Sequence, residues 1–422
     1  EFRRVLFRSW GFKMNNKDEL LRRFLRYVAI TSQSNASVEA VPSTKGQTEL
    51  ANLLAKDLEE LGLTDISVDE HSIVYGTLHG NAEGPVVGFV SHLDTVDVSL
   101  NPDIHPQVIH YDGGDVLLNK EREIYIRVSE HPELQNYVDQ DIIFSDGTSV
   151  LGADNKSAMA NIMTALTVLH NDKTIKHPTL KVAFVPDEEI GLKGSKLMDL
   201  NKFKVDYAYT IDSCSLGEVV YETFNAGSVL IKIKGVSAHP MSSKGVLVNP
   251  LLVAHDFIGM FDRHQTPEWT ADKEGYWWFT GIEADPLYCT LKMNIRDHDK
   301  DRYEWRKEEV ASNIEKLKKL HPKAEISYKI SDTYENIANN VTKEDKPVAL
   351  IYKAFDELGI KAKTYAMRGG TDGSALSVRG VVTPNYFTGA HNFHSYAEFL
   401  PLNAFEKSLN VTLKLIDLSC NN

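Results

Sequence analysis

Short apolar runs recur along the chain, and each breaks abruptly into acidic, amide or imidazole residues. Val86, Val87, Phe89 and Val90 form the first and end in Ser91-His92-Leu93-Asp94. Leu180 to Val185 ends in Pro186-Asp187-Glu188-Glu189-Ile190-Gly191, and Tyr207 to Ile211 ends in Asp212-Ser213. Continuous β-branched and apolar runs of this length predict buried central strands. Helical spacing appears between them. Leu20, Leu21, Phe24, Leu25 and Val28 follow an expected capping box at Asn16-Lys17-Asp18-Glu19, and Leu50, Leu53, Leu54, Leu58 and Leu61 precede a stop at Gly62. A third helix opens at Asp154-Asn155-Lys156 and runs through Leu169. Further strands are expected at Asp65 to Val68 and Ile73 to Leu78, and 101–140 reads as loop with short strands. Alternating strands and helices predict an α/β unit, a mainly parallel sheet with helices on both faces.

The rhythm changes after residue 221. Ser228 to Lys234 and Leu287 to Arg296 alternate apolar with polar, as one-sided antiparallel strands do. Helices near Val248 to Asp262 and Asp301 to Leu320, with a strand at Glu325 to Ile330, complete a small α+β unit. From Asn336 the first rhythm resumes, with a helix to Leu358, a loop from Met367 to Gly373 and a last helix after Pro401. The expected organisation is a catalytic α/β domain in two parts, 14–221 and 336–422, interrupted by an inserted α+β lid at 222–335. Residues 1–13, EFRRVLFRSWGFK, match neither pattern and read as a non-native or disordered leader.

Composition narrows the partners. With 42% hydrophobic and 25% charged residues among 422, the chain can bury a large core. A net charge of −13 argues against nucleic acid and anionic membrane surfaces. Three scattered cysteines, Cys214, Cys289 and Cys420, form no CxxC pair, which suggests a reducing compartment and a cytoplasmic location. No apolar run approaches the roughly 20 residues of a membrane span.

The strand-end groups then carry the chemistry. His92, Asp94, Asp154, Glu188, Glu189, Asp212 and at least one imidazole of His391-Asn392-Phe393-His394 make a nitrogen and oxygen donor set without thiolate, suited to a divalent metal such as zinc. Each residue alone has an ordinary use: Asp154 as a helix cap, Glu188-Glu189 as a solvated acidic turn, Asp212 as a turn residue. Chance rarely places acids after so many buried strands. Crowded carboxylates need cations to offset their repulsion, which points to two ions, and paired metals are a recognised hydrolytic arrangement. One of the adjacent pair Glu188 and Glu189 is free to act as base, since neighbours on an extended segment project oppositely.

Taken together these segments resemble the di-zinc aminopeptidases of the M20 metallopeptidase group, and within it those that cleave tripeptides. The matching pieces are SHLDT at 91–95, FSDGTSVLGADNK at 144–156, PDEEIG at 186–191, YTID at 209–212, SAHP at 237–240, KGVLVNP at 244–250, NIRD at 294–297, RGGTDG at 368–373 and FTGAHNFH at 387–394. The resemblance implies that His92, Asp154 and Asp212 bind one Zn2+ and that Asp154, Glu189 and His394 bind a second. Glu188 would be the general base and Asp94 the group that holds the His92 ring. His239 would stabilise the oxyanion, while Arg296 and Arg368 would hold the carboxylate end of a small peptide. A homodimer is compatible with this reading.

Two departures stand out. The group's usual GADDK is GADNK here, with Asn155 after the bridging acid, and glycines that usually follow Asp212 are replaced by Ser213-Cys214-Ser215. Dipeptidase, carboxypeptidase and deacylase activities share the same group, so substrate class is the open alternative. A non-catalytic peptide-binding relative would be expected to lack Glu188, which is present.

Overall fold

The computed structural model describes residues 15–420, so the leader lies outside the described residues. Its main sheet has eight strands, in the order Thr64–Val68, Val74–Leu78, Leu180–Val185, Val87–His92, Tyr207–Ser213, Asn385–Phe387, Glu218–Val220 and Lys363–Thr364. The four central strands, from Leu180–Val185 to Asn385–Phe387, run parallel, and antiparallel pairs appear only toward the margins. The fold is therefore a mixed α/β architecture around a mainly parallel sheet, as the apolar runs predict.

Alternation along Val87–His92 shows how both faces are covered. Val87 and Phe89 join the larger core, which the helices Asn16–Val28, Lys45–Glu60, Ala153–Asn171 and Leu402–Ser419 also build. Val90 points the other way, into a smaller core with Ala183, Met198, Phe203 and Leu376. Close approach on that second face explains Gly88: a Cβ there would lie 2.6 Å from the Phe203 ring. Burial of these faces supplies the main driving force for the sheet, at about 25 cal/mol per Å² of apolar surface.

A separate four-stranded antiparallel sheet takes the order Tyr276–Ala284, Tyr288–Asp297, Asn225–Lys234, Glu325–Tyr334. Ile231, Ile233, Met293 and Ile295 on its inner face pack with Phe257, Val310, Ile314 and Leu317 from the helices Pro250–Ile258 and Lys300–Leu320. The strand Tyr276–Ala284 was not anticipated. It is one of the sheet's two edge strands, and its exposed Trp278, Thr280 and Ile282 hide its alternation.

Other expectations need correction. Asn15, not Asn16, caps the first helix, its side chain accepting the Asp18 N–H at 2.8 Å. The Met367–Gly373 loop ends early, since Thr371 caps a short helix at Asp372–Ser377. Glu188 and Glu189 do not lie on an extended segment. The chain bends at Pro186, and Asp187 takes a left-handed φ of 55° before a turn carries both acids. Their separation comes from that turn.

Candidate metal centre

His92 ends a central strand and is buried, and its ring is held from both sides. Nδ1 lies 3.0 Å from the Asp94 carbonyl and 3.3 Å from its carboxylate, which sets the tautomer that frees Nε2 for a metal. Nε2 lies 2.9 Å from Asp154 Oδ1 and 3.9 Å from Asp212 Oδ1. The other Asp154 oxygen, Oδ2, is 3.0 Å from His394 Nε2, which is itself 3.0 Å from Glu189 Oε1.

Each donor is positioned by the end of an element. Gly152, at φ 72°, turns the chain into the helix Ala153–Asn171 and places Asp154 at its start. Asp212 stands near the end of the strand Tyr207–Ser213, where its backbone N–H donates to Asn385 Oδ1 at 2.7 Å. His394 projects from a loop in which it and Asn392 both take left-handed φ values, 60° and 58°. Asp94 does a second job: its two oxygens accept the backbone N–H groups of Glu188 at 3.0 Å and Glu189 at 3.2 Å. The same carboxylate therefore orients an imidazole and the acidic turn.

Electrostatics shows what is missing from a protein-only balance. Burial works against a charged His92, yet hydrogen bonds to Asp154 and Asp94 hold its pKa well above the ordinary value. Burial likewise opposes His394, and Asp154 and Glu189 push it up to about 12. Asp154, despite burial, is held far below the usual carboxylate range by the two imidazoles. Glu189 is raised to about 7 by burial and the Asp154 charge. Asp212 and Glu188 are pushed well above the usual range, first by burial and then by neighbouring charge. The cluster carries more carboxylate than two imidazoles can neutralise.

That imbalance is the test of fit, and a divalent cation meets it. Donor atoms of His92, Asp154 and Asp212 lie within 4.8 Å of one another, as do those of Asp154, Glu189 and His394. Asp154 is common to both trios. His92, Glu188 and Glu189 form a third such group, so Glu188 reaches the same space.

Three predicted site residues are not among these donor groups. His239 is exposed, with Nδ1 accepting the Met241 N–H at 3.2 Å. Arg296 donates to the Gly227 and Ile295 carbonyls at 3.0 and 2.8 Å and stands over the Tyr334 ring, whose hydroxyl feels the charge of Glu188. Arg368 gives its donors to 270–274, reaching the Asp272 and Glu274 carbonyls and Thr270 Oγ1 at 3.2, 2.9 and 2.7 Å.

Two acids escaped the sequence reading. Glu398 is buried and binds the backbone of the turn that carries Asp154. Its signal was a lone acid before the apolar Phe399-Leu400. Asp372, inside RGGTDG, is buried and raised to about 6 by burial, although the nearby His92 opposes the shift.

Comparison with known proteins follows the same direction. The model of peptidase family M20/M25/M40 matches residues 152–418. A peptidase T-like protein of Rhizobium meliloti (strain 1021) is 51% identical over 407 residues, covering 96% of this chain and 99% of the relative. Peptidase T of Clostridium novyi (strain NT) is 39% identical over 404 residues, covering 95% and 99%. A crystal structure of a tripeptidase from Staphylococcus aureus subsp. aureus Mu50 superposes with a TM-score of 0.76 at 21% identity, covering 96% of this chain and 99% of that one, a likeness of fold.

Proposed function

The chain belongs to peptidase family M20/M25/M40, and on that premise we propose that it is a tripeptide aminopeptidase working with two zinc ions. One observation carries the two-metal reading: Asp154 presents Oδ1 to His92 at 2.9 Å and Oδ2 to His394 at 3.0 Å. A carboxylate so shared is suited to bridge two cations. His92, Asp154 and Asp212 would hold one, and Asp154, Glu189 and His394 the other. Bound there, the metals would supply Lewis acidity and a water of lowered pKa.

The chain's own groups do the rest. Glu188 takes the proton of the attacking water and returns it to the departing amine. In the protein alone, burial and the charges of Asp212 and Glu189 push its pKa well above the usual carboxylate range, although His92 opposes the shift. Asp94 keeps the His92 ring and the Glu188 turn in one register, through contacts of 3.0–3.3 Å.

The inserted unit, 222–335, is read as a lid that closes over the peptide and excludes water. His239 would then reach the oxyanion, and Arg296 and Arg368 the far carboxylate. A free amine at the acidic end and an arginine at the other would measure peptide length. The test is purified protein, with and without a chelator, against free and blocked di-, tri- and tetrapeptides. Chelator-sensitive release of the first residue from tripeptides is the expected result; equal turnover of N-blocked peptides would overturn the aminopeptidase reading.

A further inference from the structure

We propose that Asn155 is a positioning residue for Asp212 and thereby sets the affinity of one metal position but not the other. The inference rests on the two-metal reading above. Asn155 is fully buried, and its Nδ2 donates to the Ile211 carbonyl at 2.8 Å and to Asp212 Oδ1 at 3.1 Å. That carboxylate oxygen is the one 3.9 Å from His92 Nε2, so it faces the proposed His92, Asp154 and Asp212 position.

The chemistry fixes which way the amide points. Both neighbours are acceptors, so only the NH2 end can face them. The other end, Oδ1, is buried without a hydrogen-bond partner. An unsatisfied buried carbonyl is unfavourable, and the fold tolerates it to keep both N–H groups on the strand that carries Asp212. A carboxylate at residue 155, as the GADDK pattern has, would offer no permanent donor to these two oxygens. Here a neutral donor orients the ligand without adding negative charge.

Asp212 has a second support, since Asn385 accepts its backbone N–H at 2.7 Å. One amide holds the main chain of Asp212 and the other its carboxylate. Both act on a residue that belongs to only one of the two trios. Groups that orient a ligand typically contribute about 10–100-fold in metal affinity.

The experiment is a titration of metal-free wild-type protein, Asn155→Ala and the near-isosteric, uncharged Asn155→Leu with Zn2+ against a chromophoric chelator, resolving two binding steps. Glu189→Ala, which removes a ligand of the opposite trio, serves as control, and circular dichroism confirms folding of each variant. Wild type should bind two ions. Both Asn155 variants should lose about 10–100-fold at one step and keep the other, the reverse of the Glu189→Ala pattern. If Asn155→Ala does not fold, Asn155→Leu alone decides. Two unchanged steps, or two equally weakened ones, would overturn the role of Asn155. Wild type binding a single ion would instead overturn the two-metal reading itself.

Discussion

Glu398 accepts the backbone N–H of Asp154 at 3.1 Å with one oxygen, while the other takes those of Leu151 and Gly152 at 2.7 and 2.9 Å. Three backbone donors on one buried carboxylate fix the turn that delivers the shared acid. Because Asp154 belongs to both trios, Glu398→Ala should weaken both metals, by about 10–100-fold each. Elemental analysis after dialysis against a chelator checks this, and unchanged metal content would assign Glu398 a role in folding alone.

Glu188→Ala should lower kcat by about 10²–10⁴-fold with both metals retained, since a proton acceptor is lost and no ligand is. Glu189→Ala should instead deplete one metal. Rates paired with metal content separate the two; the opposite pattern would exchange the roles.

Metal removal should abolish activity and lower Tm together, because the clustered carboxylates then repel with nothing between them. Re-adding zinc at about 100 times its dissociation constant should restore about 2.7 kcal/mol for each ion bound. Calorimetry across a zinc titration measures it. Full activity in protein shown to be metal-free would refute the proposed mechanism.

Arg296→Ala and Arg368→Ala should reduce the preference for tripeptides with a free C-terminal carboxylate, leaving metal content unchanged. Arg368 also ties 270–274 through three contacts, so its variant should in addition speed proteolysis of that segment. The ratio of kcat/KM for free and amidated tripeptides tests the first claim. A ratio unaltered in both variants removes the arginines from substrate selection.

His391 adds a pH dependence separate from catalysis. Burial, with Lys363 nearby, lowers its pKa to about 4 although Glu133 opposes the shift, and Tyr137 Oη lies 2.6 Å from its Nε2. Folded protein therefore binds fewer protons than unfolded protein between the ordinary value of 6.5 and about 4. Stability should fall as pH drops through that window, by up to ~1.4 kcal/mol per pH unit from this one group. Urea melts of wild type and His391→Gln from pH 7 to 4 should differ in that slope; parallel curves would exclude the group.

What could be read from the sequence follows from what each residue needs as context. The strands Val87–His92, Leu180–Val185 and Tyr207–Ser213 were legible because burial on both faces leaves predominantly apolar runs, with only Lys181 and Thr210 as polar residues before the strand ends. Their ends marked His92, Glu188, Glu189 and Asp212 for the same reason. Asn385–Phe387 and Glu218–Val220 are only three residues long, too short to display a period. Glu398, and the contacts of Asn155, were opaque in another way. Their partners are backbone groups or side chains 56 to 247 residues distant, and no local pattern reports such a meeting. The acidic turn was found at its correct place but for an incomplete reason, since the bend at Pro186 and Asp187, and not strand alternation, sets the directions of Glu188 and Glu189.

The position of Asn385–Phe387 between Tyr207–Ser213 and Glu218–Val220 has a consequence for synthesis. A nascent chain emerging from the ribosome makes both neighbours long before the strand that must separate them. His394 follows Asp154 by 240 residues, roughly 10–50 s at ordinary elongation rates. Until then the Asp154, Glu189 and His394 group lacks its imidazole, and Glu398 is not yet present to hold the Asp154 turn. On the two-metal reading, hydrolytic competence would therefore arise only with the last part of the chain, and a truncated translation product would carry an incomplete sheet without the means to cut peptides.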